Sequence, residues 1–186
     1  MLEEDKHIRR AQKGEAESFG ILYDHYSVPI YRFIFLKVNN KSLAQDLLHE
    51  VFLSAWQNIN NYSYKGFPFS SWLYQIARNK VIDNYRTKKD FVTIDNEEDR
   101  LITLTSEKVI DQNLSMEKVK EALSQLSEEH SNVIILRFIN DLSPAEIALA
   151  LNKSEGAVRL MQHRAIANLK KILNKNFAIL LPSFLK

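Results

Sequence analysis

The sequence predicts an all-α protein: two small helical domains joined by a linker, the C-terminal one a helix-turn-helix. Three observations carry this. Only four Gly and four Pro occur in 186 residues, too few to punctuate a sheet-and-turn architecture. Apolar residues recur at helical spacing over 17–38, 42–59 and 70–89, and again through 117–173. Between these blocks, residues 91–118 hold no sustained period and carry 3 basic against 7 acidic groups, whereas residues 1–90 carry 13 against 10 and residues 119–186 carry 9 against 6. The expected division is therefore a domain over 1–90, an acidic linker over 91–118 and a second domain over 119–186.

Taken in order, residues 3–13 read as a short helix ended by Gly14. The aromatic-rich stretch 17–38 follows, with Phe19, Leu22, Tyr23, Tyr26, Ile30, Phe33, Ile34 and Val38 near helical spacing and a break or kink expected at Pro29. Residues 42–59 make the clearest amphipathic helix. Ser42 and Gln45 form a candidate capping box, and Leu43, Leu47, Val51, Ala55 and Ile59 form its stripe. Asp46, His49, Glu50 and Leu53 lie off that stripe, and an exposed Leu53 would suggest a partner surface.

Residues 60–70 form a loop crowded with Tyr62, Tyr64, Phe67 and Phe69. Phe69 is expected to anchor the loop on the helices, and the others are candidates for stacking on unpaired bases. The helix over 70–89 buries Trp72, Leu73, Ile76, Ala77 and Val81. Its polar side carries Arg78, Lys80 and Arg86 with Asn79, Asn84 and Tyr85 among them, a mixture suited to tracking a phosphate backbone while touching bases. A basic solvated helix end would look the same on this stretch alone.

After the linker, with its Ile94, Leu101, Ile102 and Leu104 and room for a transient helix, two helices over 117–126 and 127–140 are expected, Ser127 capping the second. Arg137 is placed to meet a phosphate or a surface carboxylate. The most informative stretch comes next. Ser143, Pro144 and Glu146 spell an N-cap, a first-turn proline and a capping box, and Ile147, Ala148 and Leu151 form an apolar stripe. Asn152 falls where a tight turn needs a residue tolerant of left-handed backbone. Ser154 caps a second helix whose Val158, Met161, Ala165 and Leu169 pack inward and whose Arg159, His163 and Arg164 face outward. Residues 153–175 hold six Lys or Arg against one acid, Glu155. A basic second helix is what major-groove reading requires, although a plain helical hairpin with a solvated face shares the pattern. Residues 176–186, NFAILLPSFLK, are an apolar tail too short to span a bilayer, suited to packing back on the last helix or to docking elsewhere.

The composition narrows the function classes. Cysteine is absent, so disulfides and thiolate metal sites cannot form. The five histidines show no paired ligand spacing, and no glycine-rich phosphate loop occurs. No catalytic residues, metal or cofactor are expected, and the chain is not read as an enzyme. No apolar run reaches membrane length and the first ten residues are charged, so a cytoplasmic protein without membrane insertion is expected.

Four stretches together resemble the bacterial RNA polymerase sigma factors of the extracytoplasmic-function group: IRRAQKGEAESFGILYDHY from Ile8, QDLLHEVFLSAW from Gln45, FSSWLYQIARNKVIDNYR from Phe69, and the block from Leu126. The resemblance implies promoter-specific transcription initiation. Asp46, His49, Glu50 and Leu53 would bind the clamp helices of the polymerase's largest subunit. The loop with Tyr64 and Lys65, and the helix with Arg78, Asn79, Lys80, Asn84, Tyr85 and Arg86, would melt the minus-ten element and hold its bases. Arg137, Ser154, Gly156, Arg159, Leu160, His163, Arg164 and Lys170 would meet the minus-35 element as duplex, while that domain docks on the flap of the second large subunit. Core RNA polymerase, promoter DNA and an anti-sigma factor are the implied partners.

The sequence departs from the family pattern at His49, usually Gln; in a loop one residue longer between Gly66 and Trp72; at Leu160 and Met161, often polar; and in the apolar tail. An ordinary helix-turn-helix regulator is the alternative, but the aromatic, basic segment 60–89 argues against it.

Overall fold

The computed structural model describes residues 3–63, 66–91 and 119–176, with burial not described for 88–91 and 174–176. The described residues are helical, with no strand among them. Helices α1 (Glu3–Ala11), α2 (Ala16–Val38), α3 (Lys41–Asn58) and α4 (Phe69–Phe91) form the first half. The second half comprises α5, described over 119–124, α6 (Glu128–Ile134) with a π-helical continuation Ile135–Ile139, α7 (Pro144–Leu151) and α8 (Glu155–Asn176). The expectations for 92–118 and 177–186, and those for Tyr64 and Lys65, concern positions outside the described residues.

The expected apolar stripes form the core. Leu47, Val51, Ala55 and Ile59 are buried along α3, and Leu73, Ala77 and Val81 along α4. Aromatic rings fill the space between α2 and its neighbours. Phe52 meets Phe19 and Tyr23 edge-on, and Phe33 meets Tyr74 at 5.6 Å between centroids. Such edge contacts each add about 0.5–1.5 kcal/mol beyond the area they bury. Gly14, at φ +89, ends the turn after α1 with a backbone that other residues resist.

Three expectations are corrected here. Helix α2 runs through Pro29 without a break. Its flanks are pinned by Ile30, Phe33 and Ile34, all fully buried, and tertiary packing outweighs the lost backbone hydrogen bond. Helix α3 is capped by Asn40, whose side-chain oxygen accepts from the Leu43 amide at 2.9 Å; Ser42 already lies within the first turn and caps nothing. Helix α4 extends to Phe91, one residue into the stretch assigned to the linker.

The two halves share one hydrophobic cluster, which includes Leu73 and Ala77 of α4 and Ile147 and Ala150 of α7. Helix α4 packs on α7, and α2 meets the π-helical turn. Polar groups stitch the same seam: the Ser71 hydroxyl donates to the Glu146 carbonyl at 3.1 Å, and the Asn140 side-chain amide donates to the Pro29 carbonyl at 3.0 Å.

Candidate nucleic-acid interface

The helix-turn-helix forms as its residues dictate. The Ser143 hydroxyl accepts from the Glu146 amide, and the Glu146 carboxylate accepts from the Ser143 amide at 2.8 Å, the reciprocal box that satisfies two orphan donors of α7. Asn152 adopts φ 52, ψ 51 and its amide closes the helix onto the Ala148 and Leu149 carbonyls. The Lys153 amide also reaches the Ala148 carbonyl, at 2.9 Å. Two residues on, the Ser154 hydroxyl accepts from the Ala157 amide at 3.2 Å and starts α8. Val158 and Ala165 are fully buried against α6 and α7, which fixes the rotation of α8.

That rotation places the reading residues outward. Ser154, Gly156, Arg159, Leu160, His163, Arg164 and Lys170 are all exposed, Leu160 at 50%. Around Gly156 the space is open, with nothing within 4 Å of an added Cβ. Arg159 is held in an i, i+4 pair by Glu155 at 2.5 Å, on a side of the helix open to solvent. Arg137 is only partly exposed, and one of its guanidinium N–H groups is spent on the Leu142 carbonyl at 3.0 Å, where it braces the turn into α7. That turn contains Asp141 at φ 55, outside the range most side chains accept. Lys153 ties the tight turn to α6 through Glu129 at 2.7 Å, and this bond holds the Glu129 carboxyl below the usual range.

On α4 the candidate minus-ten residues divide. Asn79 and Arg86 are exposed and Asn84 is half-buried. Tyr85 is 44% exposed, and its hydroxyl donates to the Lys37 carbonyl at 2.5 Å, so the ring is oriented. Lys80 reaches Glu50 of α3 at 3.1 Å, and Arg78 lies 4.0 Å from Glu128 of α6. Of the loop aromatics, Tyr62 is not available for stacking. It is buried, its hydroxyl donates to the Phe67 carbonyl at 2.7 Å, and its ring packs on Phe69 and Trp72. Phe69 is buried as the anchor that was expected.

Helix α3 shows Asp46, His49, Glu50 and Leu53 together on its outer face, all exposed, Leu53 at 57%. Leu53 is an exposed leucine beside three polar neighbours, of which Glu50 pairs with Lys80, and such a patch suits a partner. The seam residues carry no signal in the pattern of the chain. Ser71 and Tyr74 of α4 are buried although they lie beside the expected stripe, and the Asn140 amide also hydrogen-bonds the Tyr74 hydroxyl. Lys37 at the end of α2 is sunk enough that burial pushes its ammonium down to about 8, against the opposing pull of Glu128. No spacing rule marks such positions, because they are set by the contact between the two halves.

Among the described residues, no group of His, Cys, Asp and Glu side chains is arranged to hold a metal ion, and no helix is long and apolar enough to cross a membrane.

Residues 22–91 match the Sigma-70 region 2 family and residues 122–171 match the Sigma-70, region 4 family. The chain is 36% identical over 169 residues to the ECF RNA polymerase sigma factor BldN of Streptomyces coelicolor, covering 89% of this chain and 64% of that protein. It is 31% identical over 179 residues to the ECF RNA polymerase sigma factor SigW of Bacillus subtilis, covering 90% and 95%. It thus spans less than two thirds of the first relative and nearly all of the second. Among solved structures, CnrH in complex with the cytosolic domain of CnrY shares the fold, with a TM-score of 0.72 at 24% identity over 91% of this chain and 96% of that one. The chain belongs to the extracytoplasmic-function group of RNA polymerase sigma factors, non-catalytic proteins that direct promoter-specific transcription.

Proposed function

We propose that this chain reads the minus-35 element as duplex with α8 and holds the melted minus-ten element with α4 and the loop before it, while the outer face of α3 docks on the clamp helices of core polymerase and the second half docks on the flap. One observation carries the reading. Arg159, Leu160, His163 and Arg164 all project outward from the N-terminal half of α8, the second helix of a capped helix-turn-helix. Arginine supplies paired donors for guanine edges, and leucine suits a thymine methyl. Melted DNA needs charge and stacking instead, which Asn79, Tyr85 and Arg86 offer from a separate helix. An anti-sigma factor completes the set of partners.

The test is to mix the purified chain with core polymerase and a promoter library and to sequence the transcripts. Enrichment of one paired minus-35 and minus-ten motif is expected. The Asp46→Lys, Leu53→Asp double variant should lose co-purification with core while keeping wild-type helicity, because reversed charge and a lost apolar anchor face the partner. Unselective transcription by the wild-type chain would overturn the reading.

A further inference from the structure

Helix α1 takes no part in the function proposed above, yet one of its sides borders a groove. Asp5, Ile8, Arg9 and Gln12 recur at helical spacing and share that side. With Tyr62 and Ser63 they line a cavity of about 260 Å³ between α1 and the start of the loop that leads to α4. That is smaller than the roughly 300–1,000 Å³ of sites for drug-sized ligands, and it suits a single flat ring system.

The groove is preformed. The Gln12 side-chain amide donates to the Ile59 carbonyl at 3.0 Å and to the Tyr62 carbonyl at 2.8 Å, which fixes the loop against α1. Ile8 and Tyr62 are buried and form its floor, and Ser63 is exposed at its rim. Asp5 and Arg9 stand one helical turn apart. Among the described residues neither side chain is taken up by an ion pair or a hydrogen bond. Lys6 and Lys13 flank Arg9, three residues before it and four after, and both are exposed, so a phosphate backbone passing the groove would meet positive charge.

A carboxylate only accepts and a guanidinium only donates, so the pair fits a ligand that donates on one edge and accepts on the next. Among unpaired bases guanine meets this best. Its N1–H and 2-amino group are neighbouring donors for a carboxylate, and its O6 and N7 are neighbouring acceptors for a guanidinium. Adenine and cytosine set a ring-nitrogen acceptor beside their amino group, which a carboxylate repels. Thymine flanks its one ring N–H with two carbonyls. In a duplex the donor edge of guanine is spent on cytosine, so such a groove selects melted DNA.

We propose that the groove between α1 and the loop is a binding site for one unpaired guanine of the melted promoter strand, Asp5 accepting from its Watson–Crick edge and Arg9 donating to O6 and N7. This rests on the promoter-melting reading above, because the loop that forms one wall is the one that reading places on melted DNA. The site is separate from Asn79, Tyr85 and Arg86 of α4, none of which lines it.

The test uses the full chain with core polymerase and a promoter library carrying all four bases at every melted position, followed by sequencing of the transcripts. The wild-type chain should enrich guanine about tenfold at one melted position. Asp5→Asn sets a donor against the guanine donors; it should flatten that position and leave the other preferences unchanged. Hypoxanthine, which lacks the 2-amino group, is then placed at the same position. It should lower transcription by the wild-type chain severalfold and leave Asp5→Asn unaffected, a difference that a merely structural role of Asp5 does not produce. Ser63→Trp fills the groove from the loop side and should flatten the same position. It serves as the second variant if circular dichroism shows Asp5→Asn to be misfolded.

A wild-type motif without that guanine overturns the proposal, as does a guanine preference that survives both substitutions. Equal responses of the wild-type and Asp5→Asn chains to hypoxanthine overturn it too. So does a folded Asp5→Asn chain that loses every preference together, since Asp5 would then act on the domain and not on one base. A wild-type chain that enriches no motif at all overturns the promoter reading instead, and the two failures are told apart by the remaining positions.

Discussion

At the residue scale, the outer side of α8 separates reading from positioning. Arg159 and Arg164 are exposed near the capped end of the helix, whereas Lys170 is exposed about a turn and a half beyond Arg164. Base contacts carry affinity and sequence information, while phosphate contacts carry affinity alone. Arg164→Ala should therefore cost about 1–3 kcal/mol on the cognate minus-35 duplex and relax preference at one or two bases. Lys170→Ala should weaken all duplexes alike and lower the salt slope by about one phosphate's share. Titration of cognate and scrambled duplexes at two salt concentrations measures both quantities; equal losses on both duplexes for Arg164→Ala would remove α8 as the reader. Arg159 has a further constraint, since it enters the groove only by leaving Glu155. An exposed i, i+4 pair is worth about 0.3–0.5 kcal/mol, so Glu155→Gln should strengthen duplex binding slightly and no more.

At the element scale, the legibility of the sequence depended on where each signal came from. In the helix-turn-helix the local signals survived intact: Ser143, Pro144, Glu146, Asn152 and Ser154 all stand in the roles their chemistry predicts, because caps and turns are settled within four residues. The burial stripe of α3 and the exposed set Asp46, His49, Glu50 and Leu53 were equally legible, being one period read from two sides. One local signal was misplaced by two residues: Asn40, not Ser42, caps α3, its side chain accepting from the Leu43 amide. The other failures depended on distant partners, Pro29 being carried inside α2 by its packed flanks. Tyr62 is in the core because Phe69 and Trp72 receive its ring, a fact no composition rule for aromatic loops contains. The π-helical turn Ile135–Ile139 had no sequence signal at all. A test of the local signals is Ser143→Ala, which removes one half of the capping box and should lower stability by about 1 kcal/mol in denaturant unfolding. An unchanged midpoint would mean that packing of Ile147 and Leu151 alone fixes α7.

At the scale of the whole molecule, the seam contributes a pH dependence to stability through Lys37. Lys37 ends α2, and its ammonium is driven down to about 8 first by burial, with Arg78 pressing the same way and Glu128 opposing. The groups facing it are Arg78 and Tyr85 from α4 and Glu128 from α6, with the Tyr85 hydroxyl on the Lys37 carbonyl. In the unfolded chain a lysine titrates near 10.4. Between about 8 and about 10.4 the unfolded chain therefore binds more protons than the native one, and stability must rise with pH across that window. Below about 8 both states hold the proton and the penalty for burying the charge is fully present. Hydration and relaxation at a partly exposed site reduce that penalty to the order of 1–2 kcal/mol. Lys37→Met keeps the aliphatic stem without the charge. It should raise stability at pH 7 by that amount, and it should flatten the rise between pH 8 and 10 that the wild-type chain shows. Urea unfolding of both proteins at pH 7, 8, 9 and 10 measures the difference. Parallel curves across that range would mean that Lys37 keeps its full hydration and that the seam does not enclose it.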